Sequence, residues 1–146
     1  MVTIGIIAVL SGVLLVNFSG SRGKARDATR ISDVGQLQLA VQLYYDRCGQ
    51  FPASLSINAN NGCPSGASLG TYISQIPTPP DGAGQTSYDY ATLTTSGVVV
   101  NYVIHAVLEQ YNVAVSKGLS SMPSGYSASY TCSNGSSSTN YCVTSN

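Results

Sequence analysis

Residues 1–18 read MVTIGIIAVLSGVLLVNF and carry no charged side chain. A helix of that length spans about 27 Å, just short of the ~30 Å hydrocarbon core of a bilayer. It is apolar on every face, which a surface helix of a small domain cannot be. A secretory signal peptide would have a basic segment before it and a small-residue cleavage site after it. This stretch has neither and runs straight into a second helical pattern.

That second pattern is amphipathic. Ala28, Ile31, Val34, Leu37, Val41 and Tyr44 recur at three- and four-residue steps, and Leu43 and Tyr45 widen the stripe. Arg26, Arg30, Asp33, Gln36 and Gln42 lie mostly off it, and Gly49 with Phe51 and Pro52 supplies stop signals. Joined into one helix, the two segments make a rod of roughly 70 Å. A globular body of about 100 residues is only ~26 Å across by its radius of gyration. More than half of the rod therefore protrudes, and a bare apolar rod needs lipid or copies of itself around it. Gly5, Gly12, Gly20 and Gly23 weaken the helix, which predicts a kink or a melted turn somewhere in 12–23.

The formal net charge is zero, from six basic and six acidic residues. Beyond Arg47 the only charged residues are Asp81, Asp89, Glu109 and Lys117, amid Ser, Thr, Gly, Asn, Tyr and Val. That balance argues against a basic nucleic-acid binder and fits a surface domain solvated by hydroxyls and amides. Cys48, Cys63, Cys132 and Cys142 show no zinc or redox spacing, and His105 is the only histidine. Two disulfides and an oxidising compartment are the expectation, with free thiols as the alternative. Three pairings are open; Cys48 with Cys63 and Cys132 with Cys142 are favoured because each closes a short loop within one segment.

Residues 48–86 read as loop, punctuated by Asn58 to Gly62, Pro64 to Gly66 and Pro77 to Pro80, with a short helical turn in 69–75. Strands are predicted at 87–93 and 98–108, joined through Thr94, Thr95, Ser96 and Gly97. The run Val98, Val99, Val100 suggests a strand end covered on both faces. Residues 126–132 and 141–144 are candidate edge strands. The fold class is α+β, with a long N-terminal helix (apolar stalk, amphipathic half) packed on a small antiparallel β-sheet head. Its divisions are 1–24 for the transmembrane or filament-core helix, 25–47 for the amphipathic helix, 48–86 for the loop, and 87–146 for the sheet and disulfide-closed C-terminal region.

Together these features resemble the type IV pilin superfamily, and the type II secretion major pseudopilins in particular. MVTIGIIAVL is similar to the portion after that family's prepilin-peptidase site, and SRGKARDATRISDVGQLQLAVQLYYDRCGQFP to its extended helix. Pro77-Thr-Pro-Pro80-Asp-Gly82 followed by Tyr88-Asp-Tyr90 is similar to the pseudopilin Pro-x-Asp-Pro, Gly, Tyr-x-Tyr segment. The likeness covers roughly residues 1–110. It implies a structural subunit, a major pilin, of an extracellular filament assembled through N-terminal helices, with Ile4, Ile7, Leu10 and Leu14 in the assembly helix. It also implies a homo-oligomeric helical filament, methylation, residence in the inner (cytoplasmic) membrane before assembly and at the cell surface afterwards. A prepilin peptidase, an assembly ATPase and a platform protein would be its partners. The alternatives are a pseudopilin of a short periplasmic pseudopilus and a monomeric membrane-tethered adhesion module.

Three departures from the family stand out. No glutamate precedes Glu109, whereas relatives carry one in a Phe-Thr-Leu-Ile-Glu-Leu-like stretch just before the position of Met1. Six more residues would bring the apolar helix to about 36 Å, so a further N-terminal portion is expected. Val16 stands where many relatives have proline. Residues 110–146 contain no Asp or Glu, whereas secretion pseudopilins bind calcium there through carboxylates.

No residue set supports catalysis, so no enzymatic role, cofactor or metal is expected. His105 alternates with strand residues and reads as a packed histidine. Asp81-Gly-Ala-Gly84 lacks the strand and helix of a phosphate loop and reads as a turn. Arg22, Lys24, Arg26 and Arg30 form one basic cluster, a juxtamembrane patch for lipid phosphates or a neighbouring subunit. Its footprint is too thin to make DNA an expected partner. Asn134-Gly-Ser136 is a glycosylation sequon in a Ser-rich loop, which makes Asn134 a candidate for modification.

Overall fold

The computed structural model describes residues 3, 5–7 and 18–145. Helix α1 runs unbroken from Phe18 to Cys48, 31 residues or about 46 Å. Gly49, at φ +72°, ends it, with its N–H donating to the Tyr45 carbonyl at 2.8 Å. The expected melted turn is therefore absent from 18–23, where Gly20 and Gly23 are helical; residues 12–17 lie outside the described residues. Gly23 faces the head, and a Cβ there would meet the Gln110 amide at 3.2 Å and the Glu109 carboxylate at 3.3 Å. Close docking replaces the side chain that this turn of helix lacks.

Three antiparallel strands follow in the order β1 (Asp89–Thr95), β2 (Val98–Val107), β3 (Asn140–Thr144). Ser96 and Gly97, both at positive φ (+52° and +81°), join β1 to β2 in the two-residue turn that suits a twisted hairpin. Short helix α2 (Val113–Ser116) lies between β2 and β3, and Asn112 caps it by accepting from the Ala114 N–H. Of the two candidate edge strands, 141–144 falls within β3, whereas 126–132 forms no strand. The latter segment serves instead as side-chain cover for the sheet.

A bulge changes the reading of the valine run. Leu93 pairs with Asn101 and Thr94 with Val99, so Val100 is the extra residue on β2. An inserted residue inverts the alternation of faces. Val99 accordingly turns inward beside Tyr102, Ile104 and Ala106, while Val98 and Val100 are 42% and 43% exposed. The strand end alternates and is not covered on both faces, contrary to expectation.

The sheet is thus the middle of three layers. On one face α1 contributes Val34, Leu37, Ala40, Val41, Tyr44 and Cys48, joined by Phe51, Leu69 and Tyr88 from the long loop. On the other, Val103 packs with Cys132, Cys142, Leu119, Met122, Tyr126 and Tyr130. Two disulfides are present, Cys48–Cys63 and Cys132–Cys142. The first ties the C-terminal end of α1 to the loop, and the second closes the layer over the outer face. A 3-10 turn at Leu69–Thr71 is the regular part of the turn expected in 69–75.

The buried face of α1 differs from the predicted stripe in its first half. Ala28 is exposed and Ile31 half-buried, while Asp27, Arg30 and Asp33 are buried. Leu43 and Tyr45, expected to widen the stripe, are 41% and 38% exposed. Counting back from Tyr44, Val41, Leu37 and Val34 by the same steps reaches Arg30, Asp27 and Gly23. Helix geometry set the face, and polar partners on the head made charged residues acceptable there. Among the described residues no helix is long and apolar enough to cross a membrane.

Candidate functional site

Where α1 meets the end of β2, side-chain and backbone polar groups of seven residues interlock. The Arg26 guanidinium grips Glu109 in a two-pronged contact, Nε to Oε1 at 2.6 Å and a terminal nitrogen to Oε2 at 2.5 Å. Arg30 is fully buried and donates to Asp27 Oδ1 at 2.8 Å and to Glu109 Oε1 at 2.9 Å. Its other terminal nitrogen reaches the carbonyls of Pro80 and Asp81 in the long loop. Asp27 in turn accepts from the backbone N–H groups of Glu109 (2.8 Å) and Gln110 (3.0 Å). Every carboxylate here meets a donor, as buried charge requires.

The electrostatics follow from these contacts. Hydrogen bonds from Arg26, then from Arg30, hold the Glu109 carboxyl down to about 2. The same contact raises Arg26 above its ordinary value. Gly82 makes room for the arrangement, since a Cβ there would lie 2.5 Å from a Glu109 oxygen. Further along α1, the Tyr88 hydroxyl donates to Asp33 at 2.7 Å, and burial followed by that bond pushes the phenol's ionisation up.

The basic cluster expected to form a juxtamembrane patch is accordingly divided. Arg30 is spent inside the head and Arg26 is paired, leaving Arg22 and Lys24 as its exposed members. Of the assembly-helix candidates, Ile7 is helical and 63% exposed, beside Ile6 at 55%. Ile4, Leu10 and Leu14 lie outside the described residues. Asn134 is half-exposed in the loop closed by Cys132 and Cys142.

His105 bridges all three strands. Nδ1 is 2.8 Å from Asp89 on β1, Nε2 is 3.0 Å from Asn140 on β3, and Tyr130 stacks on the ring at 4.4 Å. Both nitrogens are engaged in the fold, which matches its reading as a packed histidine. Between α1 and β3 lie two adjoining hollows of about 400 and 310 Å³ that share Gln38 and Thr144. Among the described residues that line them Lys117 alone is charged, and no acid–base pair is present there. Among the described residues no three His, Cys, Asp or Glu side chains gather to hold a metal ion.

Compared with known proteins, the chain matches no family model, no curated protein and no solved structure.

Proposed function

We propose that this chain is a structural subunit, a major pilin, of a type IV pilus-like filament assembled through its N-terminal helices. One observation carries the reading: an uncharged stretch of 18 residues leads toward a long helix that the head covers from Gly23 onward. Its described leading residues, Ile6 and Ile7, present bare apolar side chains. Burying such side chains contributes roughly 1.5–3 kcal/mol each, so the stretch calls for lipid or neighbouring helices as cover. Before assembly the cytoplasmic membrane would supply that cover, and afterwards the helices of other copies. The resemblance adds a prepilin peptidase, an assembly ATPase and a platform protein as partners.

Replacing Ile7 or Leu14 with Asp tests the reading. Filaments should disappear while the head keeps both disulfides and its cooperative melt. Normal filaments from either variant would refute helix-driven assembly. The second reading, a secretion pseudopilin, rests on the likeness of residues 77–90 to that branch. Short filaments confined to the periplasm, with loss of secretion in their absence, would favour it.

A further inference from the structure

The two halves of α1 are attached to the head by different physics. From Val34 onward the helix buries Val34, Leu37, Ala40, Val41 and Tyr44, and Cys48 is bonded covalently to Cys63. Before Val34 the buried positions among the described residues are Gly23, Asp27, Arg30 and Asp33, and none of these brings an apolar side chain into the core. That half is held by the contacts of Arg26, Asp27 and Arg30 with Glu109, Gln110, Pro80 and Asp81, and by the Asp33 bond to Tyr88. We infer that residues 18–33 form an arm latched by Glu109, able to leave the head as a unit while residues 34–48 stay docked.

Exchange with water explains the difference. When the arm lifts, guanidinium, carboxylate and backbone groups all rehydrate together, and each lost hydrogen bond is replaced by one to solvent. Buried apolar surface has no such substitute, so the later half resists. Local opening follows regions that hold few buried apolar contacts. Glu109 is the keystone because both arginines converge on its carboxylate, and its backbone N–H also feeds Asp27. Once off the head, a short stretch that holds Gly20 and Gly23 is marginal as a helix in water, so it frays and its amides open to exchange.

The inference concerns the single chain and needs no assembly. Its consequence, that a head could tilt on its stalk without unfolding its sheet, rests on the filament reading. Amide hydrogen exchange on the full chain in detergent, with both disulfides intact, provides the test. Glu109→Gln should speed exchange at residues 24–33 about tenfold or more, and leave 37–48 and 98–107 within about twofold. Should that variant lose its protected β2 amides and so fail to fold, the wild-type chain in about 1 M salt decides, where the screening length falls to ~3 Å. Salt should then loosen 24–33 selectively, because Arg26 and Glu109 are only partly buried, with side chains 38% and 15% exposed. Equal acceleration over all of α1, or none in the arm, would overturn the latch. Lost filaments with an intact exchange pattern would bear on the filament reading alone.

Discussion

Glu109 sits on the loop side of a junction whose arginines come from a helix about eighty residues earlier. Its carboxyl has an ordinary value of 4.5 and is held to about 2 in the folded chain. The folded state therefore binds fewer protons than the unfolded state between those values. The stabilisation is complete above about pH 4.5 and disappears as pH falls through about 2. An acid titration of the melting temperature should show this loss in the wild type and a smaller one in Glu109→Gln. At the alkaline end, burial raises Tyr88, Tyr90 and Tyr130 above the ordinary phenol value of 10. The unfolded chain releases those protons first, so stability should decline as pH rises beyond about 10. Tyr88→Phe, which leaves the Asp33 carboxylate without this donor, should cost about 1–3 kcal/mol in a denaturant melt. None of these pairings was readable from spacing. Carried back from Val34, the three- and four-residue period can reach Arg30 and Asp27, whereas the apolar stripe runs through Ile31 and Ala28 with Arg30 off it. Arg30 is nonetheless buried because two carboxylates and two carbonyls wait for it inside.

Elements were more legible than their edges. The apolar period of Val34, Leu37, Val41 and Tyr44 identified a docked helix, and Ser96-Gly97 lay within the segment expected to join β1 to β2. The β2 bulge was hidden, since an extra residue leaves no trace in a run of three valines. The layer over the outer face was only half visible. Its tyrosines and cysteines were evident, yet it packs through Tyr126 and Tyr130 and not as a strand. Because the Cys132–Cys142 bridge closes that layer, reducing it should remove about 2–3 kcal/mol in the chain-entropy account. Thermal melts should fall by many degrees with reductant once the bond is accessible and hold steady with chelator. The opposite pattern would assign the stability of this region to calcium.

For the whole molecule, the head's design is a helix pinned at both ends, by the ionic junction near Arg26 and Arg30 and by the disulfide at Cys48. The apolar stretch before it carries no charge over 18 residues. Its meaning was legible in the sequence as a need for cover, while the kind of cover depends on other molecules. A filament satisfies that need along the entire stretch, and a tethered monomer satisfies it with lipid alone. Electron microscopy of material sheared from the cell surface, labelled with antibody against the head, separates the two most directly. The account predicts thin filaments labelled along their length, absent when Ile7 is replaced by Asp. Label confined to membrane fragments, with no filaments in the wild type, would contradict it.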